Sequence, residues 1–305
     1  MPAALLPSDA RGGGPDPRTP ETRTRAGARR PYIAAAGLQR IRDSGTSHSQ
    51  ASSRQKRIMS LPDHIFVLVF AVIYPIAGFI GFRRLLRKIA AGMPVNRNHL
   101  YLNTITWHWI LFALALIAWA DSGRPWGVLG FNFEMNVRFL IAAALTIASI
   151  AFLVAQVRRV ASAPQQDLDR VKSGFGALFL LVPRNGSELA RFNVLSVTAG
   201  IVEETLWRGF LIWYLGQFMP VWAAAIISAI GFGVAHGYQG LANIPRITLV
   251  GAVFASLFML TGSLLLPIIL HAAVDLLQGR LAYDVLRRIG TEDCDVEDSH
   301  VQTSC

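Results

Sequence analysis

From Met59 onward the chain reads as blocks of apolar residues separated by short polar stretches. A helix crosses a bilayer with about 20 mostly apolar residues, and somewhat fewer serve where the bilayer thins or neighbours cover the ends. Seven such runs are predicted, at about 65–82, 104–120, 139–157, 192–215, 221–236, 247–260 and 264–278. The fourth is expected to follow a helix start at "NGSE", with Ser187 as its cap. The stretch "FGALFLLV" (175–182) is too short to cross and is expected at the interface or lining a cavity. The sixth and seventh runs are parted only by "TGS". No internal repeat is visible. The expected fold is all-α, a polytopic transmembrane helical bundle of about seven spans.

Composition agrees: hydrophobic residues make up 52% and charged residues 16%, and the mean hydropathy is positive, the profile of a membrane protein rather than a large soluble core. A net charge of +10 would suggest nucleic acid, so its location decides what it means. Residues 1–58 hold eleven Lys/Arg and four Asp/Glu, +7 of the +10, which leaves +3 from Met59 onward. That segment is rich in Pro, Gly, Arg, Ser and Thr without apolar periodicity, so it is expected to be disordered. The basic charge belongs to this tail, and no nucleic-acid partner is expected. Cys294 and Cys305 both lie near the C-terminus and offer neither a disulfide framework nor a Cys-based zinc site.

Lys and Arg also orient the spans. They gather after run one (Arg83, Arg84, Arg87, Lys88, Arg97), after run three (Arg158, Arg159, Arg170, Lys172), before run six (Arg246) and after run seven (Arg280, Arg287, Arg288). The alternate loops carry Arg124 and Arg138 between runs two and three and none elsewhere. With the basic loops cytoplasmic, the C-terminus is cytoplasmic and the N-terminus outside. A start at Met59 would leave "MSLPDH" outside, whereas a start at Met1 would export eleven basic residues, so the charge pattern favours translation from Met59.

Between Phe192 and Gln278 the charged residues are Glu203, Glu204, Arg208, Arg246 and Asp275, with His236 and His271 as titratable neighbours. Arg246 sits at a span edge. The others lie in apolar runs or at a mouth, where a charge costs roughly 2.5–3.5 kcal/mol on insertion scales and marks a functional candidate. Glu204 and Arg208 are i,i+4 with the acid first, the favoured order for a helical ion pair, and read as structural. Glu203 points about 100° away around the helix, without that partner. His271 and Asp275 share a face of run seven. Glu203, His236, His271 and Asp275 could converge from three helices on one cavity, where small residues such as Gly200, Gly231, Gly233, Gly237, Ala272 and Ala273 allow close approach.

Three short patterns then follow in order: "EETLWR" fits EExxxR, "FGVAH" fits FxxxH and "HAAVD" fits HxxxN/D. Over 183–279 this resembles the CPBP intramembrane protease family, which includes the type II CAAX prenyl endopeptidases and bacterial bacteriocin-immunity proteins (the Abi group). Asp275 stands where the CAAX endopeptidases proper have Asn, which weakens transfer of their substrate but not of the chemistry. The resemblance implies peptide-bond hydrolysis within the membrane, with Glu203 as general base aided by His236. It implies that His271 and Asp275 position water or substrate and stabilise the oxyanion, while Glu204 and Arg208 form the scaffold pair. It divides the chain into a basic tail (1–58), N-terminal spans (59–182), a catalytic membrane core (183–280) and an acidic cytoplasmic tail (281–305). The expected setting is a bacterial inner membrane. The expected partner is a peptide or membrane-protein substrate, lipidated or not.

The residues alone support a hydrolase, because burial pushes a glutamate toward the range of a useful base and developing oxyanions need aimed donors. Two histidines and a carboxylate (Glu203, His236, His271) match the ligand types of a zinc site with an open position. HExxH is absent, and a metal-free route is equally writable. A proton-coupled transporter is the main rival; it predicts repeats and broken helices in both halves. A non-catalytic immunity or scaffold protein is the third reading. The C-terminal "QTSC" is not a C-a-a-X signal, since its cysteine is last rather than fourth from the end.

Overall fold

Seven helices account for the predicted runs. The computed structural model describes residues 59–164, 168, 174 and 176–301, of which 161, 176, 177 and 289–301 are described only as backbone. The tail 1–58, Arg170, Lys172 and 302–305 lie outside the described residues. The helices are α1 (Leu61–Ala90), α2 (Arg97–Asp121), α3 (Val137–Ala161), α4 (186–215), α5 (Val221–Ala235), α6 (Ile244–Thr261) and α7 (Leu265–Val301). There is no strand among the described residues.

Five of these, α1, α2, α3, α6 and α7, contain stretches long and apolar enough to cross a membrane. The other two depart from that pattern for identifiable reasons. Helix α4 spans 30 positions but carries Glu203, Glu204 and Arg208 within one apolar window. Helix α5 is apolar but has only 15 residues. Large apolar side chains such as Ile117, Ile147, Phe152 and Leu249 remain exposed on the outer faces of the bundle, as lipid-facing residues do. The chain is an integral membrane protein.

Local chemistry sets the helix ends. Ser60 and Asp63 form a capping box at the start of α1, and Asn96, Asn136 and Asn185 cap α2, α3 and α4 by accepting from the backbone N–H three residues on. The start of α4 therefore lies two residues ahead of the expected Ser187. Asn185 has extended backbone angles and takes the Glu188 N–H at 2.9 Å, whereas Ser187 is already in the first turn. Gly262 ends α6 at φ 66°, a left-handed position glycine adopts without strain. The turn into α7 is anchored when Leu264 N–H donates to Gly130 O at 3.0 Å and Ser263 Oγ to Asn132 O at 2.7 Å. Helix α7 then continues unbroken through Val301, well past the predicted end of run seven.

Packing places α4 at the centre. It lies between α2 and α7, while α5 packs on α6 and α3 on α7. An aromatic core of Phe66, Phe70, Trp119, Trp207 and Phe210 joins α1, α2 and α4. At that end of the bundle the Asp63 carboxylate and Arg124 guanidinium form a buried ion pair, with Arg124 over the Trp213 ring at 4.2 Å. Toward the other end, 176–181 forms a short 3-10 helix. Arg97 donates to Leu180 O at 3.0 and 2.8 Å and Tyr101 to Leu181 O, pinning this segment to α2. The segment packs against the turn 237–239.

Candidate active site

The site forms where four helices approach α4 at mid-length. Gly200 makes the closest approach possible: a Cβ there would meet Ile268 O at 3.0 Å and Ala272 Cβ at 3.1 Å on α7. Five residues on, the α-helix gives way to a π-helical stretch, Thr205–Leu211, a geometry common at functional positions. One of its carbonyls, Trp207 O, accepts from Ser228 Oγ of α5 at 2.7 Å.

Glu203 and Glu204 face different company. Arg208 Nη1 donates to Glu204 Oε1 at 2.8 Å, and Nη2 donates to Gly251 O of α6 at 3.1 Å. Its guanidinium lies 4.3 Å from the Phe232 ring centre and 5.2 Å from that of Phe254. His271 Nδ1 also meets Glu204 Oε1, at 2.7 Å. Both carboxylate and guanidinium are sealed from solvent. The expected i,i+4 pair is present in the structure, and His271 is tied to it rather than to Glu203.

Glu203 Oε1 stands 3.0 Å from Nε2 of His108 in the middle of α2. Its Oε2 stands 3.7 Å from His236 Nε2, beyond direct hydrogen-bond reach. Oε2 is buried and has no hydrogen-bond partner among the described residues. His236 is the residue that ends the short α5. Its Nδ1 meets Phe232 O at 2.8 Å, so the shortness of α5 delivers Nε2 to the depth of Glu203. Tyr238 follows in the turn, with its ring 6.0 Å from that of His236. Burial pushes the Tyr238 phenol up to about 12, with Glu203 and Asp275 adding to the effect, so it remains a neutral hydroxyl. His271 Nε2 lies 3.7 Å from Asp275 Oδ2, and its ring stacks on Phe254 at 5.0 Å.

The structure thus brings Glu203 to His236 and His271 to Asp275, with the two pairs linked through the adjacent backbone of Glu203 and Glu204. The sequence reading did not single out His108. It was legible as a titratable side chain within an apolar run, in "TITWHWILF", but none of the three patterns extends to α2. Among the described residues no group of three or more His, Cys, Asp or Glu side chains comes together in a metal-holding arrangement. His271 directs Nδ1 at Glu204 Oε1 at 2.7 Å, and its Nε2 lies 3.7 Å from Asp275 Oδ2.

Residues 185–277, under a third of the chain, match the family described as type II CAAX prenyl endopeptidase Rce1-like. The matched segment runs from the cap of α4 into α7 and contains all three patterns. No match was found among curated proteins or among solved structures. The resemblance drawn from the motifs and the family match fall on the same residues, and this segment is similar to that family. The matched family is described as an endopeptidase.

Proposed function

We propose that the chain is an intramembrane endopeptidase in which Glu203 and His236 activate water against a peptide bond of a membrane-associated substrate. The observation that carries this reading is the state of the Glu203 carboxylate. One oxygen is engaged by a histidine; the other is buried, unpartnered among the described residues and 3.7 Å from His236 Nε2. A single water bridges two such groups readily. Glu203 Oε2 takes a proton as the water oxygen attacks the carbonyl carbon. The proton passes to the amine as the C–N bond breaks. His271, held by Glu204, and Asp275 face the same region from α7 and are assigned to orienting the substrate and stabilising the oxyanion.

Glu204 and Arg208 are assigned to scaffolding. A divalent metal, zinc by ligand type, is the alternative that Glu203, His236 and His271 raised; as placed they do not form its ligand set, and no step is drawn through it. Metal analysis of the purified protein, with activity before and after chelation, tests that alternative. The basic residues at the ends of α1, α3 and α7 support a cytoplasmic C-terminus, and the family resemblance supports a bacterial inner membrane.

The test is a mass-spectrometric survey of peptide termini in membranes from cells expressing wild type or Glu203→Gln at equal inserted level. Termini present with wild type and lost with the variant are the expected result, and they report substrates and bond preference together. Identical surveys would overturn the protease reading and return weight to the transporter and scaffold alternatives.

A further inference from the structure

Glu203 is gripped from a helix outside the matched segment. His108 lies at the middle of α2, buried, with Nδ1 2.8 Å from Thr104 O one turn back. A carbonyl oxygen only accepts, so Nδ1 carries a hydrogen. The Tyr74 hydroxyl of α1 stands 3.3 Å from the same nitrogen. The ring is therefore fixed in orientation from its far side, and Nε2 is left aimed at Glu203 Oε1 at 3.0 Å. For Glu203 to accept a proton from water, the hydrogen in that contact sits on Nε2, so that His108 donates from both ring nitrogens and Glu203 is a carboxylate. With Oε1 so occupied, Oε2 is the oxygen with lone pairs to spare.

Resting on the protease reading, we propose that His108 is the positioning residue of the reaction: it locks Glu203 through Oε1 and thereby makes Oε2, facing His236, the oxygen that receives the proton from water. A glutamate has three rotatable side-chain bonds, and α4 presents it beside a π-helical stretch. Without the grip from α2, the carboxylate could swing out of line with His236. A base displaced by about 1 Å loses on the order of 100-fold in rate. The arrangement also explains why the N-terminal helices are part of the machine. Helix α2 brings His108 to Glu203, and α1 brings Tyr74 to His108.

The experiment uses the full chain in membranes as wild type, Glu203→Gln, His108→Phe, His108→Gln and His108→Asn. The termini survey first identifies Glu203-dependent cleavage. Kinetics on a peptide spanning one such site, with purified and monodisperse protein, then give kcat and KM. The expected result for His108→Phe is a fall in kcat of about 100-fold with KM changed by less than about threefold, because His108 positions the base without touching substrate. His108→Gln places an amide N–H near the position of Nε2 and is expected to recover kcat to within about tenfold of wild type. His108→Asn reaches only the position of Nδ1 and is expected to stay low. If His108→Phe does not insert, the Gln and Asn variants decide: Gln active and Asn inactive supports the assignment, and equal activities overturn it. Wild-type kcat in His108→Phe beside a dead Glu203→Gln overturns the role of His108 and leaves the protease reading standing. An absence of any Glu203-dependent termini overturns both together.

Discussion

Glu203 and Glu204 are neighbours on one helix at one depth, yet the bundle treats them in opposite ways. Glu204 is fully buried against a permanent cation, Arg208, whose guanidinium is also bonded to Gly251 O and packed on Phe232. Glu203 meets only histidines, His108 and His236, while each of the two carboxylates keeps its Oε2 without a hydrogen-bond partner among the described residues. Consecutive helical residues point about 100° apart, so one step along α4 is enough to move from the face of α6 and α7 to the face of α2 and α5. Glu204 faces a guanidinium, a cation that keeps its charge. Glu203 instead faces imidazoles, whose charge is not permanent. The difference lies in the neighbours, since depth and residue type are the same.

The comparison breaks first, and most visibly, at Glu203. Glu203→Gln keeps the shape and can still hydrogen-bond His108, so unfolding in detergent is expected to move by less than about 1 kcal/mol. Cleavage is expected to fall at least about 100-fold, the lower end of what a general base supplies. Arg208→Met makes the opposite prediction. It strands the buried Glu204 carboxylate and removes the donor to Gly251 O, so folding stability is expected to fall by about 3–5 kcal/mol. Thermal unfolding and inserted yield measure that loss, and Glu204→Gln combined with Arg208→Met is expected to recover part of it. If Arg208→Met folds normally and loses only activity, the division between scaffold and reactive carboxylate is wrong.

Much of this division was legible in the sequence, because intramembrane charge is rare and i,i+4 spacing on a helix fixes which side chains can meet. Glu204 with Arg208 and His271 beside Asp275 follow from spacing alone. The contact from His271 to Glu204 could not be read that way, since it crosses between α4 and α7 and depends on how closely Gly200 lets them pack. His108 escaped for a similar reason: its partner lies 95 positions away, and a lone histidine in an apolar run reads as a satisfied core residue until the partner is known. The helix count was visible in the apolar runs, while the caps were not uniformly so. "NGSE" offers both Asn185 and Ser187, and only backbone geometry selects the asparagine.

Smaller changes sharpen the comparison by separating how α4 is held from what it presents. Gly200→Ala adds a Cβ 3.0 Å from Ile268 O and 3.1 Å from Ala272 Cβ. The expected cost is about 1–3 kcal/mol of stability as α7 is displaced, measurable by thermal unfolding. His271 is the residue next to Ala272 in this contact, so activity is expected to fall alongside, whereas the His108 contact on the far face is expected to persist.

Ser228→Ala probes the gentlest of these supports. Its hydroxyl caps Trp207 O in the π-helical stretch at 2.7 Å and is fully buried. Losing that donor leaves a buried carbonyl one bond short, which is expected to cost about 1 kcal/mol. Trp207 belongs to the aromatic core on the α1 side, and Arg208, the next residue, belongs to the Glu204 side. A carbonyl released at Trp207 therefore loosens the stretch at the point where the two faces of α4 diverge. If the π-helical geometry is what aims Arg208 at Glu204, amide exchange over 205–211 is expected to quicken in this variant while exchange in the first half of α4 does not change. Uniform exchange across α4 would show instead that the guanidinium network holds the helix by itself.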